Sequence, residues 1–455
     1  MQVSIKWLKD YVDIDETAEE IADRLTMAGV PVEHIVRADK GLEKVITGRI
    51  EKITPHPDSD HLLVCQLNMG GDALLQIVTG AQNVREGNVV PVAMVGAVLP
   101  DGKKISKGKL RGVVSNGMMC SAGELAMDIE GLPDEQVHGI YILPPDTPVG
   151  IPAARVLGLD DVVLEFELTA NRADCFSVIG IAREVAALTG RKLRMPSIEV
   201  QESAGVRAAD LVSIHIDDKE LCRRFSARVL RDVKVAPTPA WMVDRLRGAG
   251  IRSINNVVDV TNFVMLELGQ PLHAYDYDRI AGHTLTARRA HAGEQLHTLD
   301  DSNRIAVGDE LVIADSEKPT GLAGIMGGLI SEVTDATTAV VLEAASFHGA
   351  TIRRTARRIG LHSEASGRFE RGVDETETIR AVTRAAQLLA EMGACTAAEG
   401  TIDIYPAPRV PTVLTFSVRA VAERIGAHIP GEWMASALRS LGFTVEEQGG
   451  ETYRV

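Results

Sequence analysis

Aromatic residues make up only 4% of the 455 positions, too few for the repeated base-stacking surfaces that hold single-stranded nucleic acid. Positive charge is scarce as well. The 48 Lys and Arg against 63 Asp and Glu give a formal net charge of −15, which excludes a protein that coats nucleic acid by bulk attraction to phosphate. Any contact with RNA must be local, and none with DNA is expected. No apolar run approaches the ~20 residues of a membrane span. The opening MQVSIKWLKDYV has no long apolar stretch before a small-residue cleavage site, so a cytoplasmic location is expected. Five cysteines (Cys65, Cys120, Cys175, Cys222, Cys395) are odd in number and form no Cys-x-x-Cys pair. That argues against a disulfide framework and against a zinc site, leaving reduced, mostly buried thiols.

The length exceeds what one core supports and predicts about three domains at the usual ~150 residues each. Thr17 reads as a helix N-cap, with Glu20 completing a capping box and Ile21, Leu25 and Ala28 on one face before Gly29. From Glu43 to Leu125 short β-branched runs broken by turns predict a small barrel. There, Lys103, Lys104, Lys107, Lys109 and Arg111 gather charge on one rim, as either a phosphate-binding patch or a solvated loop. Between Val163 and Gly190 a helix carries Ile179, Ala182, Val185, Ala186 and Leu188 on its apolar face, with Asn171 and Asp174 as turn and capping residues. Residues Met195 to Ala209 lack a period and read as a linker.

From Leu211 to Gly400 mixed strands and helices predict an α+β domain. One helix starts at Thr238-Pro239, with Pro at its first helical position, and ends at Gly248. The next stretch, NNVVDVTNFVMLELGQPLHAYD (Asn255 to Asp276), spaces Val257, Val260, Val264 and Leu268 as one buried helical stripe stopped by Gly269. Pro271 stiffens the exit, and a Gly-Gln-Pro-Leu turn presents His273, with Thr261 and Asn262 one stem away. GLAGIMGG (Gly321 to Gly328) lacks the Gly-x-Gly-x-x-Gly spacing of a dinucleotide site, and its glycines permit close backbone approach. Glu343 lies in the nearly all-apolar VVLEAASF, where a carboxylate needs a partner, an Arg or a backbone amide. Arg353, Arg354, Arg357 and Arg358 share one side of a helix. Three readings stay open: an RNA-facing stripe, a solvated face, or an ion-pair network with Glu364, Glu370 and Asp374. The last segment reads strand, helix, helix, strand and stops just after Gly449-Gly450, where a return strand should begin, so a shortened chain is expected.

These motifs carry a resemblance. His56-Pro57, Asp60-His61-Leu62, Gly80 to Val84 and LRGVVSNGMMCSAGEL (Leu110 to Leu125) look like the tRNA-binding OB-fold attached to several aminoacyl-tRNA synthetases. With NRADCFSVIGIARE, NNVVDVTNFVMLELGQPLHAYD, AGIMGG, LEAASF and RFERGVD in that order, the chain resembles the β subunit of bacterial phenylalanine-tRNA synthetase. The resemblance implies a multidomain α+β protein. An OB-fold β-barrel (39–150) would be inserted in a small N-terminal α+β scaffold (1–38 and 151–200). A large α+β editing domain (205–400) and an incomplete small α+β domain (405–455) would follow. The catalytic-like and anticodon-contacting domains of the family would lie beyond Val455.

It further implies support of phenylalanine attachment to its tRNA and hydrolysis of mischarged tyrosyl-tRNA; the alternative is a non-catalytic module for tRNA binding and subunit assembly. Glu343 would accept the tyrosine hydroxyl, Gly324 and Pro271 would line the same pocket, and His273, Thr261 and Asn262 would orient the ester and the attacking water. His273 would act there as a base or as a hydrogen-bond partner. The lysine rim would bind tRNA. This chain would hold no metal or cofactor, ATP and Mg2+ being used by the holoenzyme through an α subunit in an α2β2 heterotetramer. A second site makes physical sense: a pocket accepting phenylalanine cannot strongly reject an added hydroxyl, whereas one built to bond that hydroxyl rejects its absence by about 10⁴ to 10⁵.

Overall fold

Alternation and turn chemistry divide this chain in a computed structural model that describes residues 1–127, 129 and 132–455. Val36–Val162 form one compact unit; Met1–Ile35 with Val163–Val455 form another.

In the first of these, strands Leu75–Thr79, Leu63–Asn68, Val45–Pro55, Val89–Met94 and Gly117–Met119 pair in that order, all antiparallel. Their inward residues, among them Ile50, Leu67, Ile77, Val90 and Val92, form one core. Sheet ends meet where Asn116 N donates to Gln76 O (2.9 Å) and Val78 N to Ser115 Oγ (3.1 Å), giving the nearly closed five-stranded barrel that the short β-branched runs predict. A hairpin, Gly108–Leu110 with Val113–Ser115, turns through Arg111, which takes the left-handed conformation at φ 43°.

In the other unit Thr17 makes the capping box for helix Ala18–Met27. The helix Val178–Thr189 is capped by Ser177, not by Asn171 or Asp174, and Leu188 is exposed. Asp174 is engaged instead by the Arg172 guanidinium. Pro239 is the N-cap of Ala240–Gly248, one place earlier than expected. The stretch read as a linker holds a strand, Glu202–Arg207, which pairs in parallel with Thr396–Glu399. That pairing is invisible locally because the partner lies far along the chain.

The main sheet places that pair beside β1 (Cys222–Arg231), and helix α1 (Asn256–Leu268) leads into its edge strand β2 (Leu272–Asp276). A hairpin of β3 (Pro319–Leu322) and β4 (Met326–Gly327) belongs to a second, five-stranded sheet. β5 (Val340–Phe347) sits between β1 and β2 and is antiparallel to both. Helices α2 (Gly349–Ile359) and α3 (Glu364–Arg371) follow.

α1 forms as its sequence dictates. Asn255 accepts from Val257 N and Val258 N at the start, and Gly269 ends it in the left-handed conformation at φ 82°. Val257, Val260, Phe263 and Val264 are buried in one core, each contributing about 1.5–3 kcal/mol. β5 is buried on both faces. Val340, Leu342 and Ala344 join the core that holds α1, while Val341, Ala345 and Phe347 join the core beneath the second sheet. The final segment forms a small sheet of Thr415–Ser417, Thr452–Arg454 and Glu446–Gly449, so a return strand does follow Gly449-Gly450. All five cysteines are free thiols, four of them buried. No helix among the described residues is long and apolar enough to cross a membrane.

Candidate functional site

His273 lies on strand β2, not in the turn that was expected to present it. The cause is Gln270, which is buried and donates from Nε2 to Ala345 O (2.8 Å) and Pro271 O (2.9 Å). This clamp ties the turn to β5, so strand pairing begins at Leu272. In that register His273 stands opposite Glu343 and Tyr275 opposite Val341. Period two sends His273, Tyr275 and Glu343 to the face away from α1.

There they line a cleft together with Pro271, Gly324, Met326, Gly327, Phe347 and Phe369. The β3–β4 hairpin can lie this close only because of its glycines. Gly324 has φ +68°, and a Cβ there would come 2.7 Å from Phe369 Cδ2; one on Gly327 would come 2.4 Å from His273 Cε1.

Glu343 does have a partner, though neither an Arg nor a backbone amide. The Tyr275 hydroxyl donates to its Oε2. Burial pushes the Glu343 carboxyl up to about 7, and the Tyr275 hydrogen bond opposes that rise. Burial pushes His273 down to about 4, so the imidazole is neutral near pH 7. Its ring meets Tyr275 edge-on with centroids 4.5 Å apart. Its Nε2 is buried and has no hydrogen-bond partner among the described residues. Such an orphaned polar atom in a cleft is where a ligand group is expected. Among the described residues lining the cleft there is no Ser, Thr, Cys or Lys; its polar side chains are those of His273, Tyr275 and Glu343.

The structure thus brings together His273, Glu343, Gly324 and Pro271, and it leaves Thr261 and Asn262 out. Both lie on α1, which packs on the opposite face of the sheet; Thr261 donates its hydroxyl to Val258 O (2.7 Å), and neither residue lines the cleft. Tyr275 was missed by sequence reasoning. Reading LHAYD as a strand would have placed it beside His273, two positions on and on the same face.

Lys103, Lys104, Lys107, Lys109 and Arg111 are all exposed in the barrel unit. Lys103 pairs with Glu124 (3.1 Å) and Arg111 donates to Asp58 O (2.9 Å). On α2 the four arginines are exposed, and the ion-pair network with Glu364, Glu370 and Asp374, one of the three open readings, does not form among the described residues. Arg358 pairs with Asp309 (3.1 Å) and Glu310, while Glu364 and Glu370 are taken by Arg368 and Arg371. Arg353, Arg354 and Arg357 have no ionic partner among the described residues, and Arg354 donates to Thr351 Oγ1 (3.3 Å). Asp174, Cys175 and Glu184 gather their ligand atoms within 4.8 Å, but the Arg172 guanidinium bonds to all three. A cation already fills that cluster, so it does not fit a metal ion.

Two family models match the chain: a putative tRNA binding domain over residues 45–152 and a B3/4 domain over 221–394. The cleft falls in the second of these. Together they describe a chain in which the barrel matches a putative tRNA binding domain and a later segment matches a B3/4 domain. Its likeness is, across nearly its whole length, to phenylalanine–tRNA ligase β subunits. It is 48% identical to the subunit of Moorella thermoacetica over 449 residues and 46% identical to that of Clostridium acetobutylicum over 450, in each case 99% of this chain and 56% of the relative. The Symbiobacterium thermophilum subunit is 46% identical over 98% of the chain and 50% of the relative. The resemblance read from the motifs is therefore met, and the chain spans about half the length of these curated relatives. A solved N-terminal fragment of the phenylalanyl-tRNA synthetase β subunit of Pyrococcus horikoshii aligns with 65% of this chain and 81% of its own, at 14% identity and a TM-score of 0.31.

Proposed function

We propose that the chain acts within a phenylalanine–tRNA ligase, supporting attachment of phenylalanine to its tRNA and hydrolysing tyrosine wrongly esterified to that tRNA. In this reading residues 39–150 are a tRNA-binding OB-fold inserted in the scaffold 1–38 and 151–200, residues 205–400 are the editing domain, and 405–455 belong to a small α+β domain. The partner is an α subunit in an α2β2 assembly in the cytoplasm, and ATP and Mg2+ serve the synthetic reaction through residues outside this chain. The observation that carries the editing assignment is one buried carboxylate, Glu343, beside a neutral imidazole with an orphaned Nε2, in a cleft floored by Phe347 and Phe369.

The chemistry follows from those groups. A tyrosine side chain packs its ring on the phenylalanine floor and donates its hydroxyl to Glu343. A phenylalanine side chain leaves the carboxylate oxygen that Tyr275 does not hold without a donor, a penalty of about 1–3 kcal/mol or more for a charged group. Water attacks the ester carbonyl carbon, the bond to the ribose oxygen breaks, and that oxygen leaves with a proton. His273 accepts a hydrogen bond from the attacking water and orients it. With its basicity depressed by burial it does not store the proton as imidazolium at neutral pH.

The test is tyrosine release from tyrosyl-tRNA by the assembled enzyme. Glu343→Ala and His273→Ala should each slow it by at least about tenfold. Unchanged rates in both would overturn editing and leave the tRNA-binding and assembly role.

A further inference from the structure

Tyr275 has no part in that assignment, yet it is the residue that holds Glu343. Its side chain is buried, its ring is fixed edge-on against His273, and its single hydroxyl proton is directed to Glu343 Oε2. The two residues are diagonal neighbours across β2 and β5, a geometry within reach of an aromatic side chain. Oε1 receives no hydrogen bond from the described residues. We propose that Tyr275 is a positioning residue for substrate selection: its phenol holds one oxygen of Glu343 and favours the ionised carboxylate, reserving the other oxygen for the hydroxyl of the bound aminoacyl group. This rests on the editing reading above.

Donors and acceptors decide the matter. An ionised carboxylate accepts from two phenols at once, one on each oxygen. A protonated carboxyl carries its own donor, accepts less, and pays little when phenylalanine leaves it unpaired. Selection therefore requires the charged form, and within this cleft Tyr275 is the group that favours it. The titratable groups facing Glu343 are His273 and Tyr275 on β2 and Cys222 on β1, whose thiol burial and Glu343 both push up. The β3–β4 hairpin and α3 present only glycines and apolar side chains to the cleft. His273 stays neutral through the neutral range, so it does not set the titration.

The experiment measures hydrolysis of tyrosyl- and phenylalanyl-tRNA against pH by the assembled enzyme carrying Tyr275→Phe. Tyrosine-over-phenylalanine selectivity should fall about ten- to a hundredfold. The loss should appear in KM for the tyrosyl ester more than in kcat, and the pH midpoint of selectivity should move upward. In a Glu343→Gln background the same substitution should change selectivity no further. Unchanged selectivity and an unchanged midpoint overturn the proposal. Fluorotyrosine at position 275, isosteric and a stronger donor, should move the midpoint downward, which keeps the test available if Tyr275→Phe unfolds. If the unsubstituted enzyme fails to release tyrosine, the editing reading itself falls. Calorimetric binding of free L-tyrosine against L-phenylalanine to the same variants then decides the role of Tyr275, a retained preference in Tyr275→Phe overturning it.

Discussion

His273 and Glu343 face each other across β2 and β5, and burial drives their proton affinities in opposite directions, the imidazole down to about 4 and the carboxyl up to about 7. Each shift is a stability statement with its own sign. The folded Glu343 carboxyl binds its proton more tightly than an unfolded one, so its ionisation costs stability as pH rises from about 4.5 to 7. Above that window the cost is constant at about 3 kcal/mol. Glu343→Gln should therefore stabilise the protein by about 2–3 kcal/mol at pH 8 and leave it unchanged near pH 4, as read by denaturant unfolding at the two pH values. An equal effect at both would mean that burial of the charge is not the cause.

The imidazole gives the mirror image. Its folded affinity lies below the unfolded value of 6.5, so its contribution is complete above that pH and is lost as pH falls toward 4. His273→Gln should relieve about 3 kcal/mol near pH 4 and nothing at pH 8. Unfolding midpoints of this variant across that range should run flatter than those of the parent on the acid side. A parallel curve would place His273 in water.

Two glycines in the hairpin should separate stability from activity. A Cβ on Gly327 meets the far end of the His273 side chain, which can rotate away. Gly327→Ala should cost under about 1 kcal/mol of stability while displacing the imidazole and slowing hydrolysis as His273→Ala does. At Gly324 the positive φ and the Phe369 ring act together, so Gly324→Ala should cost about 2–4 kcal/mol, read as a fall in Tm. If Gly327→Ala keeps full hydrolysis, His273 has no fixed role in it.

What the sequence made legible was local. Asn255 and Gly269 bracket α1 through their own backbone chemistry, and Glu343 stood out because its neighbours are apolar. What it hid was set by pairing between distant segments. Gln270 clamps to Ala345, which turns His273 from a loop residue into a strand residue, and the face it then shares with Tyr275 follows from strand parity alone. The packing of α1 on the opposite face of that sheet separates Thr261 and Asn262 from the cleft, although both lie close to His273 along the chain. Likewise Arg358 finds Asp309 and Glu310, not the acidic residues next to it in sequence.

The lysine rim and the α2 arginines are two candidate phosphate contacts, and salt dependence of tRNA binding tells them apart. Lys104, Lys107 and Lys109 are exposed and make no ion pair among the described residues, whereas Lys103 is partly neutralised by Glu124. Each phosphate that a cation neutralises releases counterions. Replacing Lys104, Lys107 and Lys109 by Ala should therefore weaken binding and reduce the slope of log K against log salt by about 0.7–0.9 for every phosphate left without its lysine. Lys103→Ala alone should do less, since Glu124 already competes for the same charge. Arg353→Ala with Arg357→Ala removes two of the three α2 guanidiniums that make no ion pair among the described residues and should leave overall affinity nearly constant if α2 is merely solvated. A matching drop in slope would make it a second phosphate-binding surface. An unaltered slope in the triple lysine variant would return the rim to a solvated loop, because a cation that meets no phosphate releases no counterion.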